Sequence, residues 1–247
     1  MTERLYYDDP HRTRFTAEVV ERLTWDDRPA VVLDRTAFYP ESGGQPADHG
    51  LLGGRTVLDV IERADDGAVV HVLSEPLQDD HVDGEVAWDR RFDHMQQHTG
   101  QHVLSAAFDQ VLGAHTVGFH LGTESSTIDV DQPDLEMDDV EPVEARANQV
   151  VWDDRGIDVR WLDRSALDGT EIEPPSDVAG PVRLVTIAGA GPSAAEPFDA
   201  NPCGGTHVGR TGEIGLIKIV GVEHRGEETR IAFLCGGRAL SDYQDKL

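Results

Sequence analysis

The 247-residue chain reads as α+β: a strand-built part over residues 1–90, then a mixed part over residues 91–247 that opens on one long helix. Three observations predict this. β-Branched residues alternate or cluster in short runs up to about residue 90, with glycine-bearing turns between them. From Trp88 the apolar spacing switches to the helical repeat and keeps it as far as Gly113. After that, strand and helix patterns follow one another without an internal repeat.

The first strands are expected in TAEVVERL, PAVVLDR, TVLDVIER and AVVHVLS. Gly43-Gly44, Gly50, Gly53-Gly54, Asp65-Asp66-Gly67 and Asp83-Gly84 punctuate them as turns. Several short strands at this spacing predict a small barrel or sandwich. The segment DRRFDHMQQHTGQHVLSAAFDQVLG is the best-defined helix, and HTVGFHLGTESSTIDVD reads as two strands about a turn at Gly122. A second helix is expected from about Glu141 to Gly156, a strand over Ile157 to Leu162, and a short helical or loop excursion over Arg164 to Pro175. Residues 188–202, small and proline-bearing, are expected to form a loop. GEIGLIKIVGVEHRGEETRIAFLCG reads as a β-hairpin turning near Arg225-Gly226.

Acidic residues number 47 against 21 basic ones, a net charge of −26. Lys218 and Lys246 are the only lysines. Unscreened, such a charge opposes a polyanionic partner. In molar salt the Debye length shrinks to about 3 Å and the objection lapses. Acidic pairs such as Asp8-Asp9, Asp79-Asp80 and Asp153-Asp154 are spread along the whole chain, as in proteins adapted to very high salt; an ordinary acidic protein is the alternative. No apolar run approaches the roughly 20 residues that span a bilayer, and the N-terminal segment has no signal-peptide core. A cytoplasmic protein without a membrane partner is expected. Two cysteines, Cys203 and Cys235, are too few for a disulfide framework, and Cys235 sits in an apolar run as a small buried residue.

His98 and His102 stand four apart on the long helix, so both imidazoles share one face. Cys203 and His207 repeat that separation in the turn CGGTH. Two short-range pairs joined by a long excursion are how a tetrahedral zinc site is assembled, and a thiolate favours zinc over magnesium or calcium. His94 extends the row, but one ion reaches only two of the three helix histidines, which leaves one spare or facing substrate. HTGQH has the outline of the metalloprotease signature H-E-x-x-H. With Thr99 where the glutamate should be, it lacks that enzyme's base.

HMQQHTGQHVLSAAF, NPCGGTHVGRTGEIGLIKI and FYPESGGQPADHG resemble the editing region of alanyl-tRNA synthetases, and more closely the freestanding alanyl-tRNA editing proteins of AlaX type. The resemblance covers most of the chain. It implies a small N-terminal β-barrel followed by an α+β editing domain of the threonyl/alanyl-tRNA synthetase type. It also implies hydrolysis, in trans, of tRNA(Ala) mischarged with serine or glycine, with Zn2+ on His98, His102, Cys203 and His207. The family's glycine-rich motif falls on Glu41 to Gly50, including Gly43, Gly44 and Gln45, a loop near the active site. Thr36 matches a threonine associated with choosing serine over alanine. Ser126, Thr127 and Asp129 resemble strands that wall the pocket. Longer members carry a C-terminal extension, which after SDYQDKL is expected to be either absent or trimmed away.

The substrate of such a protein is an ester on the terminal ribose of tRNA. Its hydrolysis needs a nucleophile and support for the carbonyl oxyanion, which zinc supplies by activating water or by orienting substrate. Gln101, Glu41 and Asp129 are the candidates for moving the proton. Thr36 or Thr99 could bond the serine hydroxyl, so that a pocket left unpaired by alanine rejects it. Arg90, Arg91, Arg210 and Arg225 could meet phosphates or simply pair with surface carboxylates. A zinc-stabilised tRNA-binding module without catalysis, and a zinc hydrolase of another small ester, are the rival readings. Oligomeric state is not legible.

Overall fold

The computed structural model describes residues 2–170, 172–173, 180–191 and 195–246. The chain divides into two compact units, Met1–His94 and Met95–Leu247.

In the first unit the strands are β1 (Glu3–Arg4), β2 (Arg14–Trp25), β3 (Arg28–Leu33), β4 (Arg35–Thr36), β5 (Gly50–Leu52), β6 (Arg55–Glu62), β7 (Val69–Leu73) and β8 (His81–Val86). Six of them close into a barrel in the order β2-β3-β7-β6-β5-β8, while β1 and β4 pair in parallel beside it. The barrel form of the two expected architectures is therefore the one observed. Alternation delivers the core: Phe15, Ala17, Leu33, Leu52, Val57 and Leu73 belong to one buried cluster. Each fully buried aliphatic or aromatic side chain there contributes roughly 1.5–3 kcal/mol. Strand β7 is buried along its entire length. Its second face is covered as well, where Val70 joins Ala30, Val32 and Ala68 under Leu23 and Trp25.

Asp83-Gly84, expected as a turn, lies inside β8 instead. Gly84 answers to packing and not to chain reversal, since a Cβ there would stand 2.3 Å from the Phe15 ring. The Gly43-Gly44 turn does form. Ser42 and Gln45 exchange two backbone hydrogen bonds, and the two glycines between them take φ of +53° and +76°, the geometry of a tight hairpin tip.

Helix α1 (Trp88–Leu112) begins in the first unit and continues into the second. There it is followed by β9 (Thr116–Leu121), β10 (Ser126–Val130), α2 (Met137–Trp152), β11 (Ile157–Leu162), β12 (Val182–Ile187), β13 (Asp199–Pro202), β14 (Ile217–Arg225), β15 (Glu228–Cys235) and α3 (Gly236–Asp245). One antiparallel sheet runs β14-β15-β10-β9, another β11-β12-β13. Helix α2 starts four residues before the expected Glu141, because Glu136 and Asp139 form a capping box ahead of Pro142. It ends at Trp152, and Asp154 beyond it takes φ of +48°. Asn148 fixes α2 to β14, its amide exchanging hydrogen bonds with both backbone groups of Ile217 at 2.7 and 3.0 Å.

The stretch expected as a plain loop over 188–202 ends in β13, paired to β12 from Asp199↔Ile187 to Pro202↔Leu184. Residues 192–194 of that stretch, like 171 and 174–175 of the expected excursion after Arg164, lie outside the described residues. Arg164–Leu167 forms a single 3-10 turn. The C-terminal hairpin turns at Gly226, φ +71°, as the sequence predicts. Among the described residues no helix is long and apolar enough to cross a membrane.

Candidate metal centre

Helix α1 buries polar side chains: His94, Gln97, His98, Thr99, Gln101 and His102 are all buried. Each of several finds a fixed partner, which is how polar residues persist in an interior. Gln97 brackets the end of β15, accepting from the Cys235 N–H at 2.9 Å and donating to its carbonyl at 3.1 Å. Gln96 donates to the Glu213 carbonyl at 2.9 Å.

The CGGTH turn is held from behind by Arg183 on β12. This buried arginine donates to the carbonyls of Cys203 and Gly205 at 2.7 and 2.9 Å, and the Cys203 N–H returns a bond to the Arg183 carbonyl at 3.0 Å. Thr99 joins the helix to the same turn. Its hydroxyl accepts from the Val208 N–H and contacts His207 Nδ1, both at 3.2 Å. With Nδ1 so engaged, His207 offers Nε2 to the centre.

The outcome is that His98, His102, Cys203 and His207 bring one potential ligand atom each within 4.8 Å of one another. Cys203 Sγ stands 3.3 Å from His98 Nε2 and 3.2 Å from His207 Nε2. The three imidazole rings lie 4.5 to 5.5 Å apart. All three histidines are buried, and Cys203 is half-buried. Burial works to raise the Cys203 thiol, but the facing imidazoles of His98 and His207 and bonds from His102 and His207 outweigh it and hold the thiol well below its usual range. For His102 burial acts downward, yet Asp199 and Cys203 lift it to about 10. Burial depresses His207 to about 3. One thiolate and three imidazoles compressed in this way suit a borderline-soft divalent cation such as zinc. The cluster can bind a metal ion.

The other expected site residues fall in different places. Gln101 is buried on α1 with its amide donated to Ser105 at 2.9 Å; an amide has no basicity to offer. His94 falls in the first unit and the metal cluster in the second. On β10, Ser126 shares its strand face with Ile128. Ile128 pairs with Phe119 of β9, whose ring lies 5.9 Å from that of His98. Among the described residues the buried Ser126 hydroxyl has no hydrogen-bond partner. Thr127 and Asp129 point to the opposite face of that sheet, where Arg230 grips Asp129 with two bonds of 2.6 Å and lowers its carboxyl.

In the first unit, Thr36 is fully buried. Its hydroxyl bonds His71 Nε2 at 2.8 Å and accepts from the Phe38 N–H at 3.1 Å. Since His71 Nδ1 faces the Val31 carbonyl at 3.3 Å, Nε2 is the acceptor and the Thr36 proton is already committed. Glu41, Gly43 and Gly44 are exposed, while the Gln45 side chain is buried. The loop is pinned by Arg90, which donates to the Ala47 carbonyl at 2.9 Å. Fully buried Arg91 bonds Asp48 and the carbonyls of Ala37 and Pro10. Arg91 thus has no route to a phosphate. Arg210 and Arg225 pair with the surface carboxylates of Asp154 and Glu223. Sequence reasoning missed Arg183 and Asp199, which carry no motif; what marks them is their contact with residues of the His/Cys cluster.

Residues 182–231 match the family described as threonyl and alanyl tRNA synthetase second additional domain, and residues 2–90 match tRNA synthetases class II (A). Alanyl-tRNA editing protein Aarsd1 of Mus musculus is 38% identical over 218 residues, 85% of this chain and 50% of that protein. Alanyl-tRNA editing protein AlaX-L of Pyrococcus horikoshii is 33% identical over 261 residues, spanning 100% of this chain and 61% of the relative. Alanine--tRNA ligase of Pyrococcus furiosus is 34% identical over 268 residues, 98% of this chain and 27% of that enzyme. The chain spans about half the length of the first relatives it matches. With a barrel and a second domain that each match synthetase families, and with relatives of this name along its whole length, the chain belongs among the alanyl-tRNA editing homologues.

Proposed function

We propose that this protein is a cytoplasmic aminoacyl-tRNA deacylase that removes serine, and with it glycine, from mischarged tRNA(Ala) at a zinc site made by His98, His102, Cys203 and His207. The observation that carries the reading is the convergence of these four residues within 4.8 Å in a homologue of the alanyl-tRNA editing proteins. Residues 91–247 hold the deacylase centre and residues 1–90 the barrel.

A cation held there supplies Lewis-acid chemistry to an ester carbonyl or to water. The chain's own residues do the rest. Thr99 holds the His207 ring through Nδ1, and Gly100 lets the helix carrying both histidines close on its sheet. Glu41 and the Gly43-Gly44 tip are exposed. The Thr36 hydroxyl is buried on His71 and the Phe38 N–H, so any effect of Thr36 on the choice of serine is indirect. The charge of −26 is that of a protein working in concentrated salt, where tRNA approach is not opposed.

The test is release of serine from Ser-tRNA(Ala) in molar potassium chloride, with Ala-tRNA(Ala) in parallel, by zinc-loaded and by chelated protein. Zinc-dependent loss of serine with alanine retained is expected. Folded, zinc-loaded protein that binds the tRNA but hydrolyses neither ester would instead be a binding module.

A further inference from the structure

The buried carboxylate of Asp199 contacts the metal centre from outside the ligand set. It belongs to β13, and its Oδ2 lies 2.9 Å from His102 Nδ1. Both side chains are closed to solvent, 7% and 8% exposed. Its other oxygen, Oδ1, accepts from Asn201 Nδ2 at 2.6 Å. The carboxylate is therefore clamped on both oxygens, and its strand is fixed in turn by the pairing of Asp199 with Ile187 on β12.

We infer that Asp199 is a positioning residue of the metal centre: its carboxylate sets the tautomer and ring orientation of His102, leaving Nε2 to complete the cation site. A helix places an imidazole on the right face but leaves rotation about its side-chain bonds open. His207 has a hydroxyl, Thr99, to hold its Nδ1; His102 has a full negative charge. A carboxylate behind a ligating imidazole raises that ligand's basicity and removes the entropy of ring rotation from the binding step. With Oδ2 taken by His102 and Oδ1 by Asn201, Asp199 acts through His102 and is not arranged as a base toward substrate. This inference rests on the reading that the cluster holds a cation.

The experiment is zinc affinity of the full chain by competition with a chromophoric chelator, together with the visible spectrum of the cobalt-substituted protein. Neither readout needs tRNA. Asp199→Ala is expected to weaken zinc binding by about 10–100-fold and to alter the cobalt bands. Asp199→Asn, which still presents an oxygen to the Nδ1 proton, is expected to lose less. If the alanine variant does not fold, the asparagine variant decides, since the β12–β13 ladder uses only backbone groups. Folded variants with wild-type zinc affinity and an unchanged cobalt spectrum would overturn the inference while leaving the zinc site intact. Unchanged affinity with a lowered kcat at constant KM would overturn it too, by making Asp199 a catalytic group. Wild-type protein that takes up zinc yet deacylates nothing would sink the deacylase reading alone; wild-type protein that takes up no zinc would overturn both.

Discussion

Gly100 of α1 and Cys235 of β15 pack directly together: a Cβ at Gly100 would stand 2.2 Å from Cys235 Sγ. The glycine between the two histidines of HTGQH is thus a packing residue, and the sulfur it touches explains the buried second cysteine. Gly100→Ala is expected to cost about 1–3 kcal/mol through overpacking, more than its helix propensity returns. Adding Cys235→Ala removes the obstructing atom and should recover at least about 1 kcal/mol of that loss. Urea unfolding of the four members of this cycle measures it; strictly additive effects would show that the two residues do not touch.

Arg91 and Asp48 form an ion pair with both side chains at 0% exposure. Such a pair adds little over an apolar substitute, but breaking it strands a charge. Arg91→Ala should destabilise the protein by about 3–5 kcal/mol. Asp48→Asn, which keeps one oxygen for the Tyr39 N–H but leaves the buried Arg91 charge without its counter-charge, should destabilise by a similar amount. A loss below about 1 kcal/mol for Arg91→Ala in chemical denaturation would refute the assignment.

His71, buried in the barrel beneath Thr36, titrates at about 4 because burial disfavours its charge. Unfolded, it titrates near 6.5, so between these values the unfolded chain binds the extra proton. Its contribution is therefore intact above about pH 6.5 and is lost as the pH falls toward 4, by roughly 3 kcal/mol at the lower limit. His71→Gln keeps an acceptor for the Thr36 hydroxyl and does not titrate. Urea midpoints from pH 7 to 4 should fall less steeply for this variant than for the wild type; parallel curves would rule the histidine out.

Chelation should lower the melting temperature by several degrees. Free zinc a thousandfold above Kd adds about 4 kcal/mol to the stability of any fold that alone binds it. Cys203→Ser should abolish most of that increment and the sulfur-to-cobalt charge-transfer absorption with it. A melting point indifferent to zinc in the wild type would argue against a cation at this cluster.

The clustering of the two pairs was legible because each rests on local spacing: four residues on α1, four in one turn. The barrel strands were legible from alternation, and α1 from its helical repeat. What stayed hidden depends on contacts between distant segments. Gly84 resembles a turn glycine until Phe15 is placed against it. Asp199 sits in a proline-bearing stretch whose pairing with β12 has no local signature. Thr36 and Arg91 look like surface-capable polar residues, and only the fold reveals their burial. α3, an amphipathic helix that starts at Gly236, begins on a residue that ordinarily ends such elements.

Between His102 and Cys203 lie about a hundred residues of chain, with the five strands β9 to β13 and helix α2 among the described ones. An ion shared by the two ends of that span would act as a removable cross-link. It would close a loop whose entropy in the disordered chain is otherwise among the largest this protein must give up. Metal supply would then govern how far the chain can come apart as well as what it can hydrolyse. Loss of the ion would then open the chain to proteolysis at the same time as it emptied the centre.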